Sequence, residues 1–146
     1  MPRFAILRHE TPPGSPRPLH WDFLLEDAGT LLTWALAESP AAGRPIAAES
    51  LANHRTAYLD YEGPVSGNRG TVTRWDAGTF QWRHRSDREI AVILTGGVLR
   101  GEAILTRVDD TTPRWQFVLC WLAQPAEPAA YYRQRQRYAC FPAHLA

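Results

Sequence analysis

The sequence contains no lysine, and this absence excludes several classes of enzyme. All sixteen positive charges among its 146 residues are arginine, and fifteen acidic residues leave a formal net charge of +1. Without lysine there is no Schiff-base enzyme, no nucleotidyl transfer through a lysine adduct and no P-loop lysine at a phosphate. Arginine offers a rigid, permanently charged fork that suits carboxylates and phosphates. The near-neutral balance argues against general coating of nucleic acid, although it allows a local basic site.

Cysteine and long apolar runs are scarce as well. Cys120 and Cys140 are too few for a disulfide framework and lie in no metal-ligand spacing, which favours packing roles for both. No stretch approaches the roughly twenty apolar residues of a membrane span, and the first apolar run is too short for a signal peptide. We therefore expect a cytoplasmic monomer without membrane contact, in which 45% hydrophobic residues build one domain over residues 1–146.

Short extended runs separated by turn residues predict a mainly β protein. About eight strands in so short a chain favour a small closed or nearly closed antiparallel β-barrel with short flanking helices, because closure leaves no exposed sheet edge. Helices are predicted at 47–53 and 128–138, the second within a connector, helix and tail that occupy 123–146. The predicted strands span residues 4–8, 19–26, 31–37, 71–75, 79–83, 90–94, 101–108 and 115–122, with a turn at 76–78.

Two histidines flank a loop rich in proline near the start of the chain. If the first two strands form a hairpin, His9 and His20 face each other with about 5 Å between β-carbons, a separation that suits one metal ion. Asp22 follows His20 by two residues and shares its face, so the three side chains form a two-histidine, one-carboxylate set with open coordination positions. Large apolar residues alternate with this set, which is typical of a barrel whose lumen holds the site. The alternative is a strand-capping His20 beside a hydrogen-bonded Asp22.

A second cluster contains His54 and Tyr58, whose spacing of four places them on one face of a helix or a strand. An imidazole and a phenol both donate to phosphate oxygens, and histidine also exchanges a proton near neutral pH. The alternative is a surface histidine beside a tyrosine that packs under a turn.

These residues occur within a longer pattern that resembles a known family. Residues 19–26 (LHWDFLLE) and a Trp-Ala pair at 34–35 resemble the start of the 3′-phosphoesterase domain of bacterial DNA ligase D. Residues 54–63 (HRTAYLDYEG), 70–78 (GTVTRWDAG) and 94–101 (LTGGVLRG) resemble its later motifs in the same order. The ordered set from about residue 4 to 122 is far more specific than any single motif.

The resemblance implies a function and a role for each matched residue. His9, His20 and Asp22 would hold a divalent cation, usually manganese, with His20 counted also among the catalytic residues. His54 and Tyr58 would contact the reacting phosphate. The family trims the 3′ ends of primer-template DNA during non-homologous end joining, by removal of a terminal ribonucleoside and then of the 3′-phosphate. A separate ligase or polymerase would be the partner.

The sequence departs from the family pattern at Leu24, where the family has an arginine that would bind phosphate. The loss of this arginine removes a charge-assisted contact of about 2 to 3 kcal/mol, so the sequence leaves open whether the activity is weak, altered or absent. Arg44, Arg17 and Arg83 are the candidates to bind phosphate or nucleic acid instead, with solvated side chains as the alternative. The family's N-terminal arm has no counterpart before His9, which favours phosphate removal over ribonucleoside removal.

Two other functions stay open from the sequence. A catalytically weakened or inactive module of the same fold would bind nucleic-acid ends without turnover. A small non-haem iron oxygenase would use the same two-histidine, one-carboxylate set, although the histidine motifs match a phosphoesterase.

Overall fold

A computed structural model describes residues 1–121, which fold into one nine-stranded antiparallel sheet. Two short 3₁₀ turns, at Pro40–Ala42 and Thr56–Leu59, are the helical segments of this range. No helix in it is long and apolar enough to cross a membrane. The strands are β1 (Arg3–Glu10), β2 (His20–Asp27), β3 (Thr30–Leu36), β4 (Ile46–His54), β5 (Gly63–Pro64), β6 (Thr71–Arg85), β7 (Glu89–Gly96), β8 (Arg100–Arg107) and β9 (Arg114–Trp121).

The sheet closes on itself, which confirms the predicted barrel. Its strand order is β1-β2-β3-β4-β9-β8-β7-β6, and β6 returns to pair with β1, so eight strands form the wall. The two-residue strand β5 pairs with the first residues of β6 outside this ring. Closure satisfies the hydrogen-bonding groups that open edges would expose.

The helix predicted at 47–53 is wrong, because these residues belong to β4. Its alanines and glutamate favour a helix intrinsically, but β4 pairs with β3 along one side and with β9 along the other. Ile46 and Ala48 are buried while Ala47 between them is exposed, which is the alternation of a strand. Tertiary pairing therefore overrides the local preference.

The two strands predicted at 71–75 and 79–83 are one continuous strand, β6. The presumed turn residues serve other contacts. A β-carbon at Gly78 would lie 2.1 Å from the carbonyl oxygen of Thr95, so glycine is needed there for the close approach of β7. The first half of β6 pairs with β1 and the second half with β7, and a register irregularity beside Ile6 and Leu7 accompanies the change of partner.

Two separate apolar clusters lie on opposite faces of the barrel wall. The larger contains inward residues from all eight wall strands, such as Phe23 and Leu25 of β2, and fills the lumen. The smaller lies on the outside and contains Ala5, Leu7, Leu24, Leu31, Leu59 and Val72. The expectation that the lumen holds the site is therefore wrong: apolar side chains fill the lumen, and the face of β2 that contains Asp22 and Leu24 is the outer one.

The end of the predicted architecture lies beyond the described range. The connector, helix and tail assigned to 123–146 are outside it. Cys120 is buried in β9, as expected, but it is not a free thiol.

Candidate active site

The hairpin of β1 and β2 brings His9 and His20 together as the sequence predicts. The two residues are direct partners in the antiparallel ladder, and Asp22 pairs with Leu7 two residue pairs further along. The imidazole centroids are 4.6 Å apart. Because alternate residues share a face, the carboxylate of Asp22 lies between the two rings on the outer surface of the barrel.

Backbone carbonyl groups fix the orientation of both imidazoles. His9 Nε2 lies 2.7 Å from the carbonyl oxygen of Arg69, and His20 Nδ1 lies 2.9 Å from that of Pro18. A carbonyl oxygen only accepts hydrogen bonds, so each of these nitrogens has the proton. The neutral rings therefore present His9 Nδ1 and His20 Nε2 as lone-pair nitrogens.

Both lone-pair nitrogens face the carboxylate of Asp22. His9 Nδ1 is 3.1 Å from Oδ2, and His20 Nε2 is 3.1 Å from Oδ1. Oδ1 is buried and has no hydrogen bond within residues 1–121. The lone-pair nitrogens and the carboxylate oxygens are all hydrogen-bond acceptors, and they face one another in a buried place. This arrangement requires either extra protons or a cation.

The charge of Asp22 persists at neutral pH. Burial raises the pKa of the carboxyl group, but the imidazoles of His20 and His9 lower it by more, to about 2. The hydrogen bond that protonated His9 donates to Asp22 conversely raises the pKa of His9 above 6.5, although burial of the ring opposes the change. In the metal-free protein a proton on His9 therefore partly balances the carboxylate.

The donor set fits a divalent cation. One nitrogen from each histidine and one oxygen from Asp22 lie within 4.8 Å of one another. Two imidazoles and one carboxylate suit manganese, iron or zinc, and they leave coordination positions open for water and substrate. The buried, unbonded Oδ1 is the feature of this structure that such an ion would explain.

A cavity of about 360 Å³ joins this cluster to His54 and Tyr58. His9 and Asp22 form one side of it, whereas His20 lines a neighbouring cavity of about 300 Å³ together with Arg17 and Glu49. The rings of His54 and Tyr58 meet edge to face with centroids 5.6 Å apart. The structure therefore brings His54 and Tyr58 to the same cavity as His9 and Asp22.

The 3₁₀ turn Thr56–Leu59 positions Tyr58 over the hairpin. Leu59 is buried in the outer apolar cluster, and Tyr58 packs against the same cluster. The next residue, Asp60, accepts hydrogen bonds of 3.2 and 2.6 Å from Arg3 of β1. His54 Nδ1 lies 3.0 Å from the carbonyl oxygen of Ala52, so Nδ1 has the proton and Nε2 is the lone-pair nitrogen.

The three arginines predicted from the sequence do not line this cavity. Arg44 pairs with Glu38 on the surface. Arg17 lies 3.0 Å from Glu49 and Arg83 lies 3.2 Å from Glu102. Leu24 is fully buried in the outer apolar cluster beside the cavity and is not part of its lining.

Arg55 and Arg69 line the cavity instead, and sequence reasoning missed both. Arg55 had a local signal, since it follows His54 directly in the second motif. Arg69 had none: it lies 60 residues from His9 in sequence, and only the folded chain brings its carbonyl group to that imidazole.

Comparisons with known proteins agree with the pattern of motifs. A family model described as the DNA ligase D 3′-phosphoesterase domain matches residues 9–107. The multifunctional non-homologous end joining protein LigD of Mycobacterium bovis is 30% identical over 121 residues, which cover 77% of this chain and 15% of that protein. The LigD protein of Pseudomonas aeruginosa is 30% identical over 83 residues, 53% of this chain and 9% of that protein. The chain therefore spans about 15% of the length of the longest-matching relatives.

Proposed function

The chain belongs to the DNA ligase D 3′-phosphoesterase domain family, and we propose that it is a metal-dependent phosphoesterase that acts on the 3′ ends of DNA. The main support is the pair of imidazole nitrogens that face a buried carboxylate at 3.1 Å each. This set opens through His9 and Asp22 into the cavity that contains His54 and Tyr58. A cation and a phosphate would therefore bind next to each other.

His9, His20 and Asp22 would hold the cation, which family membership suggests is manganese. When bound, the ion neutralises charge on the phosphoryl oxygens and lowers the pKa of a coordinated water. The protein prepares for it in two ways: carbonyl groups orient both imidazoles, and burial keeps Asp22 close to them. These outer contacts reduce the cost of ordering the ligands at the moment of binding.

His54 and Tyr58 would contact the reacting phosphate. The Tyr58 hydroxyl is a donor, and the contact of His54 Nδ1 with the Ala52 carbonyl leaves Nε2 for the substrate. In its protonated form Nε2 donates to a phosphate oxygen or protonates a leaving group. Both donors are held by packing of the 3₁₀ turn, so they stabilise developing charge without reorganisation.

The substrate would be a primer-template with a 3′-phosphate, and the product a 3′-hydroxyl that a ligase or polymerase uses. Removal of a terminal ribonucleoside is the second reaction of the family. Relatives are named as non-homologous end joining proteins, and this chain would act on DNA ends in the same kind of process.

The test is release of phosphate from a 3′-phosphorylated primer-template in the presence of Mn²⁺. We expect activity in the wild-type protein, none after chelation of the metal, and a loss of at least about hundredfold in His20→Ala. His84→Ala is the matched control, because His84 is exposed on β6 and distant in sequence from every site residue. Wild-type protein without activity, or equal activity in His20→Ala, would contradict the proposal.

A second candidate function is recognition of DNA ends without turnover. It is favoured by Leu24, which stands where the family pattern has arginine and is buried among apolar residues. This candidate predicts that the protein binds a 3′-phosphorylated end more tightly than a 3′-hydroxyl end and releases no phosphate in the assay above.

A further inference from the structure

We propose that Arg55 and Arg69 form a phosphate clamp in this protein, in place of the arginine that Leu24 replaces. The inference rests on the proposed function for the identity of the anion as a phosphate ester. It assigns the positive groups of the site to two arginines outside the set predicted from the sequence.

The position of Leu24 shows why the charge has to come from elsewhere. Leu24 is fully buried and packs with Leu59 and Leu31 in the outer cluster, beneath the turn that bears Tyr58. A guanidinium at this place would have to leave an apolar environment to reach the cavity. The side chain at this position thus supplies packing that holds the turn, and no charge.

Arg55 and Arg69 lie on the wall of the same cavity as His9, His54 and Tyr58. Asp22 is the one acidic residue among the described residues that line it. If Asp22 is committed to the two imidazoles or to a cation, two guanidinium groups remain without an acidic counterpart. The cavity is then net positive and suits a phosphate dianion.

Arg69 is held in place and retains free donors. Its Nε donates to the carbonyl oxygen of Ser66 at 2.7 Å, and Nη2 donates to the Ser66 hydroxyl at 3.1 Å. A guanidinium has five N–H groups, so three remain after these contacts. Its own carbonyl group contacts His9 at 2.7 Å, which ties the position of this arginine to the cation ligands.

Arg55 is exposed at the cavity edge and has no ion-pair partner within residues 1–121. Its situation contrasts with Arg17, Arg44 and Arg83, each of which has a carboxylate partner. An exposed arginine without a carboxylate partner keeps its N–H donors available for an anion. A phosphate between Arg55 and Arg69 would provide that anion.

The first experiment measures binding of inorganic phosphate to the metal-free protein by ³¹P NMR titration. Arg55→Gln and Arg69→Gln should each weaken binding about tenfold or more, because each removes a charge-assisted contact. The phosphate affinity of Arg55→Lys should lie between those of the wild type and Arg55→Gln, since lysine keeps the charge and lacks the planar guanidinium fork. Arg100→Gln is the matched control: it removes one exposed arginine at the start of β8. Circular dichroism verifies that every variant is folded.

The second experiment measures steady-state hydrolysis of the 3′-phosphorylated primer-template with Mn²⁺. We expect Arg55→Gln to raise KM about tenfold with a smaller change in kcat, while Mn²⁺ affinity stays the same. Unchanged phosphate binding and KM in both glutamine variants would overturn the clamp, as would a loss confined to Arg44→Gln or Arg83→Gln.

The two experiments separate the clamp from the proposed function. If wild-type protein hydrolyses the primer and both glutamine variants do so with wild-type KM, the function stands and the clamp is wrong. If wild-type protein binds phosphate through Arg55 and Arg69 but hydrolyses nothing, the clamp stands and the proposed function is wrong.

Discussion

Asp22 shows a conflict between stability and function within one side chain. Its carboxylate is 3% exposed and faces two lone-pair nitrogens, so in the neutral, metal-free state it has poor partners. A buried acceptor without a donor costs free energy. Under the proposed function, this charge serves to bind the cation.

Asp22→Asn should therefore uncouple stability from metal binding. The amide group can donate to an imidazole nitrogen, so we expect the variant at pH 8 in chelator to be no less stable than the wild type. Mn²⁺ at about a hundred times its Kd should stabilise the wild type by about 2.7 kcal/mol and the variant hardly at all.

Chemical unfolding with and without Mn²⁺ measures both effects. Asp110→Asn, an exposed carboxylate paired with Arg88, is the control for loss of charge. Equal stabilisation of Asp22→Asn and wild type by Mn²⁺ would show that the ion binds elsewhere.

His9 makes metal binding dependent on pH. Its pKa in the metal-free protein is raised above 6.5 by Asp22, and binding of a cation requires the neutral ring. The ion pair with Asp22 stabilises the metal-free protein fully below pH 6.5, and this stabilisation is lost as pH rises through the raised pKa. The pKa of Asp22, lowered from 3.8 to about 2, sets the acid limit, because stabilisation is lost as pH falls through that value.

We accordingly expect Tm in chelator to fall between pH 6 and pH 9, and the increase in Tm caused by Mn²⁺ to grow over the same range. Differential scanning calorimetry at several pH values measures both. A Tm increase that is independent of pH would contradict a ligand role for His9.

At the residue scale, local spacing predicted that His9, His20 and Asp22 lie together and missed the arginines of the cavity. His9, His20 and Asp22 belong to one hairpin, so strand periodicity alone places them together. Arg69 lies in the loop between β5 and β6. Only the tertiary fold brings this loop to the site, so no local sequence pattern predicts the contact. The face of the barrel was also mispredicted, since alternation distinguishes two faces without indicating which one is inside.

Among the elements, β6 explains why one family motif contains an aspartate that is not a site residue. Asp76 is buried, and its Oδ1 accepts hydrogen bonds from the backbone of Gly97 at 2.9 Å and Val98 at 3.0 Å. Its Oδ2 accepts one from Leu99 at 2.8 Å. The carboxylate therefore holds the turn between β7 and β8, and the motif is structural at this position.

Asp76→Asn should destabilise the barrel by about 2 to 4 kcal/mol, because the new amide group would face a backbone N–H and leave it unsatisfied. Metal affinity and kcat, measured below the unfolding transition, should stay at wild-type values. Thermal unfolding by circular dichroism gives the stability change, with Asp87→Asn in an exposed turn as the control. A variant that loses Mn²⁺ binding without loss of stability would assign Asp76 to the site.

Strand prediction succeeded where turn residues coincide with real turns and failed where they do not. The hairpin turns after β2 and β7 contain Gly29 and Gly97, and each turn lies between two strands that the sequence predicts as separate. At 76–78 the same residue types serve tertiary contacts inside β6, so local chemistry gave the wrong boundary. In β4, pairing with β9 from a distant part of the chain decides the structure, and no window of local sequence contains that information.

For the whole molecule, the absence of lysine has a specific electrostatic consequence. Most arginines in residues 1–121 lie beside a carboxylate, so little unpaired positive charge is spread over the described surface. The arginines with a carboxylate within 4.0 Å are Arg3, Arg8, Arg17, Arg44, Arg74, Arg83, Arg85 and Arg88.

DNA binding should therefore depend only weakly on salt. Each phosphate contact contributes about 0.7 to 0.9 to the slope of log K against log salt concentration, so a clamp on one phosphate predicts a magnitude of about 1. Fluorescence anisotropy with a labelled 3′-phosphorylated primer-template at several salt concentrations measures it. A magnitude above about 5 would mean that DNA lies along a basic surface much larger than the clamp.

The position of all three cation ligands on one hairpin also bears on how the chain folds. His9, His20 and Asp22 meet once a short loop closes, whereas the barrel is complete only when β4 has found β9. Short loops close at a smaller entropic cost than long ones. A cation in the medium would thus meet a nearly complete binding site on a partly folded chain, and would favour the first hairpin as the place where strand pairing begins.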